Sequence, residues 1–553
     1  MIVEIRDIPS DLNLEADVCI IGAGAAGIVL ARDLAASSRK VILLESGGFR
    51  REVQVQDLYS GESVGERYFE KLSECRSRFL GGSTNCWAGI CTPLNAIDFE
   101  KRSWVPWSGW PISRNDLASY MRKAHEICGN GPYLYDARAW ELMRLPDVAF
   151  GSELFQKFVW HFNSRSSTAL RFGTRFREEI RTSSNIQLFL RTNVVELLTN
   201  ESGKQVERAR IRTLDGRSGH VRAKVFVLAC GAIENARILL ASSGSRHPNG
   251  LGNHRDLVGR FFNEHLQVAC GMLHVSEGSP AVPLSRLSRL GSSFCLPGLV
   301  LAPAAQESHR TLNASLAIDP FNDPEGGWLA LQNLRSELKK GSVNSQMFAQ
   351  VWRILRDSPK LAANVWRRLA HGERPRGDSR NYFLYARAEQ SPNPDSRITL
   401  SDDVDALGMR RARLDWRTVP LDRKAIRLLA KLATGEFQRL GLGTVTEAPW
   451  LSGDQWPDDL VGGPHHMGTT RMSDDDSSGV VDRNCRVHGL HGLYIAGSST
   501  FPTGGHANPT LTILALTLRL GEHIRQSFNE SATVLEAVRL QKPTKAQVIS
   551  GTP

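Results

Sequence analysis

The stretch Ala16–Gly48, ADVCIIGAGAAGIVLARDLAASSRKVILLESGG, carries three glycines between two apolar runs. Val18–Ile21 is a short apolar run of the kind that forms a strand buried on both faces of a parallel sheet. Gly22, Gly24 and Gly27 follow in the spacing G-x-G-x-x-G, and the residues from Ile28 to Ala35 have helical periodicity. A second apolar run, Val41–Leu44, ends in Glu45, 23 residues after Gly22. Strand, tight glycine turn, helix and strand in this order form a dinucleotide-binding unit. The glycines let backbone approach a pyrophosphate, whose charge faces the helix N-terminus, and the acid can accept hydrogen bonds from ribose hydroxyls. The motif alone does not separate NAD from FAD.

Further along, two segments share the pattern. Phe226–Ser243, FVLACGAIENARILLASS, reads as a buried strand, a turn at Gly231–Ala232 and a helix. Gly492–Ile524 reads as a strand, a glycine turn and a long helix. The nucleotide-binding sheet is therefore expected to draw strands from both ends of the chain, whereas a simple NAD domain is contiguous. With 553 residues there is room for two or more domains. No apolar stretch reads as a membrane span, and the first residues lack the basic start, apolar core and small-residue cleavage site of a signal peptide, so a cytoplasmic protein is expected. The nine cysteines are odd in number, scattered and without a CxxC pair, which suggests neither a zinc site nor a disulfide framework. Cys86 and Cys91 read as packed thiols. The net charge is +10, but Arg335 to Arg376 alone holds ten Lys/Arg against three Asp/Glu. A local surplus without a binding motif does not indicate nucleic acid.

Several further stretches carry a family resemblance: RFLGGSTNCWAG at Arg78–Gly89, the section Asp98–Ile127, GAIENARIL from Gly231, HHMGTTRM from His465 and NPTLTILALTLRLGEHI from Asn508. Together with the opening motif they resemble the glucose-methanol-choline (GMC) oxidoreductases, FAD enzymes that oxidise alcohols and sugars. The likeness runs over about residues 15–135, 190–270 and 385–525. It implies an α/β fold with a Rossmann-like FAD-binding domain assembled from discontinuous segments, and an antiparallel-sheet substrate domain. The corresponding division is 1–135, 190–275 and 455–528 for the FAD domain, and 136–189 with 276–454 for the substrate domain. That second domain includes a basic insertion at 335–377, and 529–553 forms a tail. The resemblance places Gly81 and Gly82 in a loop over the flavin and Asn85 and Cys86 beside its ring. It places Val194 near the adenine side, Gly231 in the second signature, and Gly497 and Ser498 near the ribityl and phosphate end. Some family members attach FAD through a histidine in the glycine-rich loop. Here that loop reads Ser83-Thr84-Asn85-Cys86-Trp87, with no histidine before His125, so non-covalent FAD is expected.

The same likeness implies oxidation of a CH–OH group to a carbonyl, by proton abstraction and hydride transfer to flavin N5. A neutral imidazole has a pKa suited to taking the hydroxyl proton, and a second donor helps hold the developing alkoxide. In the family the base is the histidine three residues before a Gly-Thr, paired with a His or Asn in the last helical segment. Carried over, these are His465 and Asn508, with Asn508 also at the cofactor. His466 is expected to point elsewhere. His506, in the same turn as Asn508, is a further catalytic candidate in contact with substrate or flavin, or else a turn residue bonded to backbone.

Weaker signals complete the reading. SDDDSSG at Ser473–Gly479 lacks the alternating acids and closing Glu of a calcium loop and reads as a solvated turn, so no metal is expected. Ser391–Gly408 reads as a strand between turns. Trp104, Trp107 and Trp110 suit core packing or stacking on a sugar face. Gln346–Gly377 interleaves apolar and basic residues in two amphipathic helices divided near Pro359, which either pack on the roof domain or make peripheral contact with an anionic membrane. The residues after Gln526 are expected outside the core. The expected substrate is a sugar, polyol or sugar-bearing metabolite. The alternatives are a non-redox lyase with structural FAD and an oxidase of a non-sugar alcohol. The electron acceptor stays open among oxygen, a quinone and a redox protein.

Overall fold

The computed structural model describes residues 1–4, 11–68, 70–163, 170–321, 330–331, 334, 346–359, 361–362, 366 and 380–540. In chain order the strands begin with β1 (Ile2–Glu4), β2 (Asp11–Ile21), β3 (Val41–Leu44), β4 (Gly61–Gly65), β5 (Ile90–Cys91) and β6 (Phe155–Phe162). They continue with β7 (Ile186–Leu190), β8 (Asn193–Thr199), β9 (Val206–Arg212), β10 (Ser218–Leu228), β11 (His265–His274), β12 (Ser288–Leu290) and β13 (Ser293–Leu301). The last are β14 (Ala314–Pro320), β15 (Asn381–Glu389), β16 (Arg397–Val404), β17 (Arg410–Trp416), β18 (Thr444–Glu447) and β19 (Leu493–Ile495). Five helices matter here: α1 (Ala25–Leu34), α2 (Ala232–Ala241), α3 (Gln346–Arg356), α4 (Pro420–Arg439) and α5 (Thr510–Leu540).

Among the described residues the first sheet runs β1-β7-β3-β2-β10-β9-β8, with β19 also on β10. Its β1, β7, β3, β2, β10 and β19 are mutually parallel, while β8 and β9 form an antiparallel flap. Val18, Ile20, Val41 and Leu43 are fully buried, as unbroken apolar runs in a sheet covered on both faces should be. β10 is long enough for β9 to pair with its first half and β19 with Phe226–Leu228, so the C-terminal segment completes a sheet begun at the N-terminus. β2, α1 and β3 sit where the glycine motif placed them.

The second sheet, β18-β11-β15-β14-β13-β6-β5 with β12 on β13, is antiparallel throughout. A small third sheet joins β16 and β17 to β4.

Two expectations are corrected. β7 pairs with β3 in the parallel sheet, although residues up to 189 were expected in the substrate layer; its burial on both faces suits the inner sheet. β11 pairs with β15 and β18 in the antiparallel sheet, although residues up to 275 were expected in the FAD domain; these pairings are non-local and leave no local signal. The last helix runs past Gln526 to Leu540, a stretch without glycine or proline. Of the basic segment, α3 is helical as expected; the second helix expected after Pro359 lies largely outside the described residues.

Candidate active site

The first and second sheets meet over a cavity of about 610 Å³. On the parallel-sheet side it is lined by Gly22, Gly24, Glu45, Val194, Gly231, Gly497 and Ser498, with Gly82 and Cys86 from the glycine-rich loop. His465, His466, Asn508, Gln267 and Arg387 line it from the other side.

The first group fits a dinucleotide. Gly22 has φ +101°, which bends the chain from β2 into the turn. Gly24 is the N-cap of α1, with no side-chain cap and no acid in the first turn, so the helix N-terminus is left for an anion. A Cβ added at Gly24 would meet only Gly82 Cα, at 3.9 Å, and one at Gly231 or Gly497 would meet nothing within 4 Å. These backbones are open to the cavity. Glu45 is buried, and its two carboxylate oxygens accept the N–H of Ala23 at 3.0 Å and of Gly47 at 2.9 Å, leaving lone pairs for ribose hydroxyls.

Three expected cofactor residues do not line the cavity. Gly27 serves packing: a Cβ there would lie 1.8 Å from Gly22 O. Gly81, at φ +98°, donates its N–H to Ala23 O and abuts Gly173. Asn85 turns back to donate to Leu80 O and Gly82 O, holding the loop rather than facing inward. Cys86, expected to be packed, is exposed, while Cys91 is buried.

Sheet pairing creates the histidine site. Bridges Asn263–Met467 and Gln267–Val461 run the 461–467 segment antiparallel to the start of β11, which sets residue 465 opposite residue 265. Glu264 clamps this crossing by accepting the N–H of His465, at 2.7 and 2.8 Å to its two oxygens, and that of His265 at 2.9 Å. The imidazoles then meet Nδ1 to Nδ1 at 2.8 Å. Gly463 makes room, since a Cβ there would sit 2.4 Å from the His465 ring.

The hydrogen-bond partners assign the tautomers. His265 Nε2 lies 2.9 Å from Gly505 O, a pure acceptor, so this nitrogen carries the proton and Nδ1 of His265 accepts. His465 must then donate from Nδ1, which leaves its Nε2 unprotonated. Asn508 Nδ2 donates to that Nε2 at 3.3 Å. The amide is oriented by Arg387, which has only donors and reaches Asn508 Oδ1 at 2.6 Å. Burial, then the charges of His265 and Arg387, hold His465 well below the usual histidine range. Burial takes His265 down to about 3. Both rings are neutral at neutral pH, and the one lone pair of His465 Nε2 accepts from Asn508, a residue that lines the cavity with it. Glu264 is pushed up to about 7 by burial, partly offset by the N–H groups it accepts.

His466 also lines the cavity, but its Nε2 meets Tyr68 OH at 2.9 Å, and that hydroxyl donates to Glu264 at 3.2 Å. Nε2 of His466 therefore donates. His506 does not reach the cavity: its Nε2 bonds Asn95 Oδ1 at 2.9 Å and its ring packs edge-on against Phe158. Sequence reasoning missed Glu264, His265, Gln267 and Arg387. The only signal was an acid–histidine pair, Glu264-His265, at the head of an apolar strand. Trp110 is buried and donates to Thr503 at 2.8 Å, which is core packing, whereas Trp107 is exposed. The one His/acid cluster with metal-like spacing among the described residues, Glu264–His265–His465, is accounted for by these hydrogen bonds.

Two family models match parts of the chain. Residues 17–246 match the family described as FAD dependent oxidoreductase, and residues 392–517 match GMC oxidoreductase. The chain is 26% identical to the 6'''-hydroxyparomomycin C oxidase of Streptomyces lividus, over 92% of this chain and 91% of that one. It is 22% identical to the fructose dehydrogenase large subunit of Gluconobacter japonicus, over 94% and 100%. The crystal structure of formate oxidase superposes with a TM-score of 0.55 at 17% identity, over 94% of this chain and 100% of that one, a likeness of fold.

Proposed function

The chain is an FAD-dependent oxidoreductase of the GMC family, and from that premise we propose that it oxidises a CH–OH group of a sugar, polyol or sugar-bearing metabolite to a carbonyl. The carrying observation is the unprotonated Nε2 of His465, fixed by His265 and held by the weak, 3.3 Å bond from Asn508 at the cavity wall, a bond that a substrate hydroxyl can replace. The relatives include oxidases and dehydrogenases named for such substrates, which supports the substrate class.

In this reading Gly22, Gly24 and Glu45 hold the pyrophosphate and ribose of FAD, Val194 lies at the adenine side, and Gly231, Gly497 and Ser498 complete the cradle. Bound FAD supplies the two-electron acceptor for the carbinol carbon. His465 Nε2 takes the hydroxyl proton, a task worth about 10²–10⁴-fold in rate. The new positive charge is shared through Nδ1–H to His265, whose Nε2–H is anchored on Gly505 O. Asn508 Nδ2–H and the nearby Arg387 stabilise the negative charge growing on the substrate oxygen. That same negative charge offsets the repulsions that hold the His465 pKa down. With no histidine in the glycine-rich loop, FAD is held non-covalently. The parallel sheet forms the FAD domain and the antiparallel sheet the substrate domain.

Anaerobic mixing of the FAD-loaded protein with a panel of sugars, polyols, sugar acids and other hydroxy acids, and simple alcohols tests the reading. At least one sugar, polyol or sugar acid should bleach the oxidised flavin band. Bleaching by none of them would favour a lyase with structural FAD. Repeating the panel in air with peroxide detection separates oxidase from dehydrogenase.

A further inference from the structure

Arg387 stands out among the interior arginines: it is half-buried and stands in the cavity wall. Arg78, Arg102 and Arg237 each meet a carboxylate: Glu234 at 3.0 Å, Glu389 at 2.7 Å and Asp405 at 2.6 Å. Arg387, on β15, pairs with no carboxylate among the described residues. Its guanidinium donates to two neutral side chains, Asn508 Oδ1 at 2.6 Å and Gln267 Oε1 at 3.1 Å, above the ring of Trp160. Arg471 also lacks a carboxylate, but it is buried away from the cavity. Arg387 lines the cavity, one hydrogen-bonded residue from the base. Burial lowers it only to about 10, so it is a cation at neutral pH. A half-buried cation on a cavity wall with no carboxylate beside it is open to an anion brought by a ligand.

We propose that Arg387 is the carboxylate-binding residue of the substrate site and that the substrate is a hydroxy acid, such as a sugar acid, whose carboxylate lies on Arg387 while its carbinol meets His465 Nε2. This deepens the CH–OH reading and rests on it. Separation of the two groups is set by the path from Arg387 through Asn508 to His465, which puts the carboxylate close to the oxidised carbon. A guanidinium offers a planar fork of donors matched to a carboxylate, and Asn508 and Gln267 engage only two of its five N–H groups.

The test is equilibrium binding of acetate to the FAD-loaded protein, followed by calorimetry, with acetamide as the neutral isostere. The parent should bind acetate at least about tenfold more tightly than acetamide. Arg387→Met should weaken acetate by about 10- to 100-fold, as expected for loss of charge-assisted hydrogen bonds, and Arg387→Lys should retain part of the affinity. Gln267→Glu supplies an internal carboxylate beside an intact guanidinium and should weaken acetate equally, so it decides the question if Arg387→Met loses FAD. Acetate bound no better than acetamide by the parent, with neither binding included, would overturn the proposal. So would acetate binding that survives Gln267→Glu unchanged. Binding needs no turnover, so absence of flavin bleaching in the panel above would defeat the CH–OH reading without touching this result.

Discussion

At the scale of single residues, the account rests on which nitrogen of His465 is bare. His465 and Asn508 were legible because each sits in a short glycine-rich turn with a family pattern. His265 and Arg387 were not, because their partners lie 200 and 121 positions away in sequence and only the sheet pairing joins them. His265→Phe removes the acceptor that fixes the His465 tautomer. Flavin reduction should slow by at least about tenfold, with FAD content unchanged; stopped-flow reduction and the flavin absorbance report the two quantities. His506→Ala should behave oppositely. It deletes a buried side chain and its bond to Asn95, costing about 1–3 kcal/mol of stability, while the reduction rate stays near the parent's; thermal melts and the same kinetics separate these outcomes. The pH dependence follows from the direction of the His465 shift. A lowered pKa keeps the base neutral as pH falls, so rate is lost only when pH drops through the lowered value. The acid limb of the flavin-reduction profile should therefore lie well below 6.5, the usual histidine value. A limb near 6.5 that persists in Glu264→Gln, which removes the carboxyl that burial pushes up to about 7, would show a solvated base.

Secondary-structure elements were legible where their signal is local. β2, α1 and β3 follow from unbroken apolar runs around three glycines, and α2 follows from the same pattern at Gly231. The antiparallel roof was anticipated only through the family likeness. Its strands come from residues 90 to 447 and pair across long distances, so no local period reveals their neighbours. β7 was misplaced for the same reason. The glycines of the first turn give a paired prediction. Gly24→Val adds bulk into open space, so the protein should fold but bind FAD poorly. Gly27→Val drives a Cβ into Gly22 O and should destabilise the α1–β2 packing itself. Flavin content and melting temperature of the two variants distinguish them. On α3, Val351, Trp352 and Leu355 are exposed, at 42%, 63% and 65%, within a segment of positive charge. We propose that this face touches anionic membranes. Flotation with phosphatidylserine vesicles should carry the parent and should fail when Trp352 and Leu355 are both changed to serine. No helix among the described residues is long and apolar enough to cross a membrane.

At the scale of the whole molecule, the candidate site comes from closing one sheet over another. The parallel sheet presents glycine turns and Glu45. The antiparallel sheet brings His265, Gln267 and Arg387, and the returning C-terminal segments deliver His465 and Asn508 to the seam. None of these pieces is a site alone, which explains why two histidine-bearing turns near the C-terminus are informative only beside a nucleotide motif near the N-terminus. Non-covalent cofactor binding is part of the proposed function. Acid precipitation should release yellow FAD into the supernatant, and colour kept in the pellet would point to a link at Cys86. The role of His465 is decided by the anaerobic flavin-reduction rate with one confirmed CH–OH substrate, measured for the parent, His465→Ala and His466→Ala. His465→Ala should retain FAD and slow by about 10²–10⁴-fold, while His466→Ala should stay within a few-fold of the parent. Reduction of His465→Ala at the parent rate, with His466→Ala stalled, would contradict it.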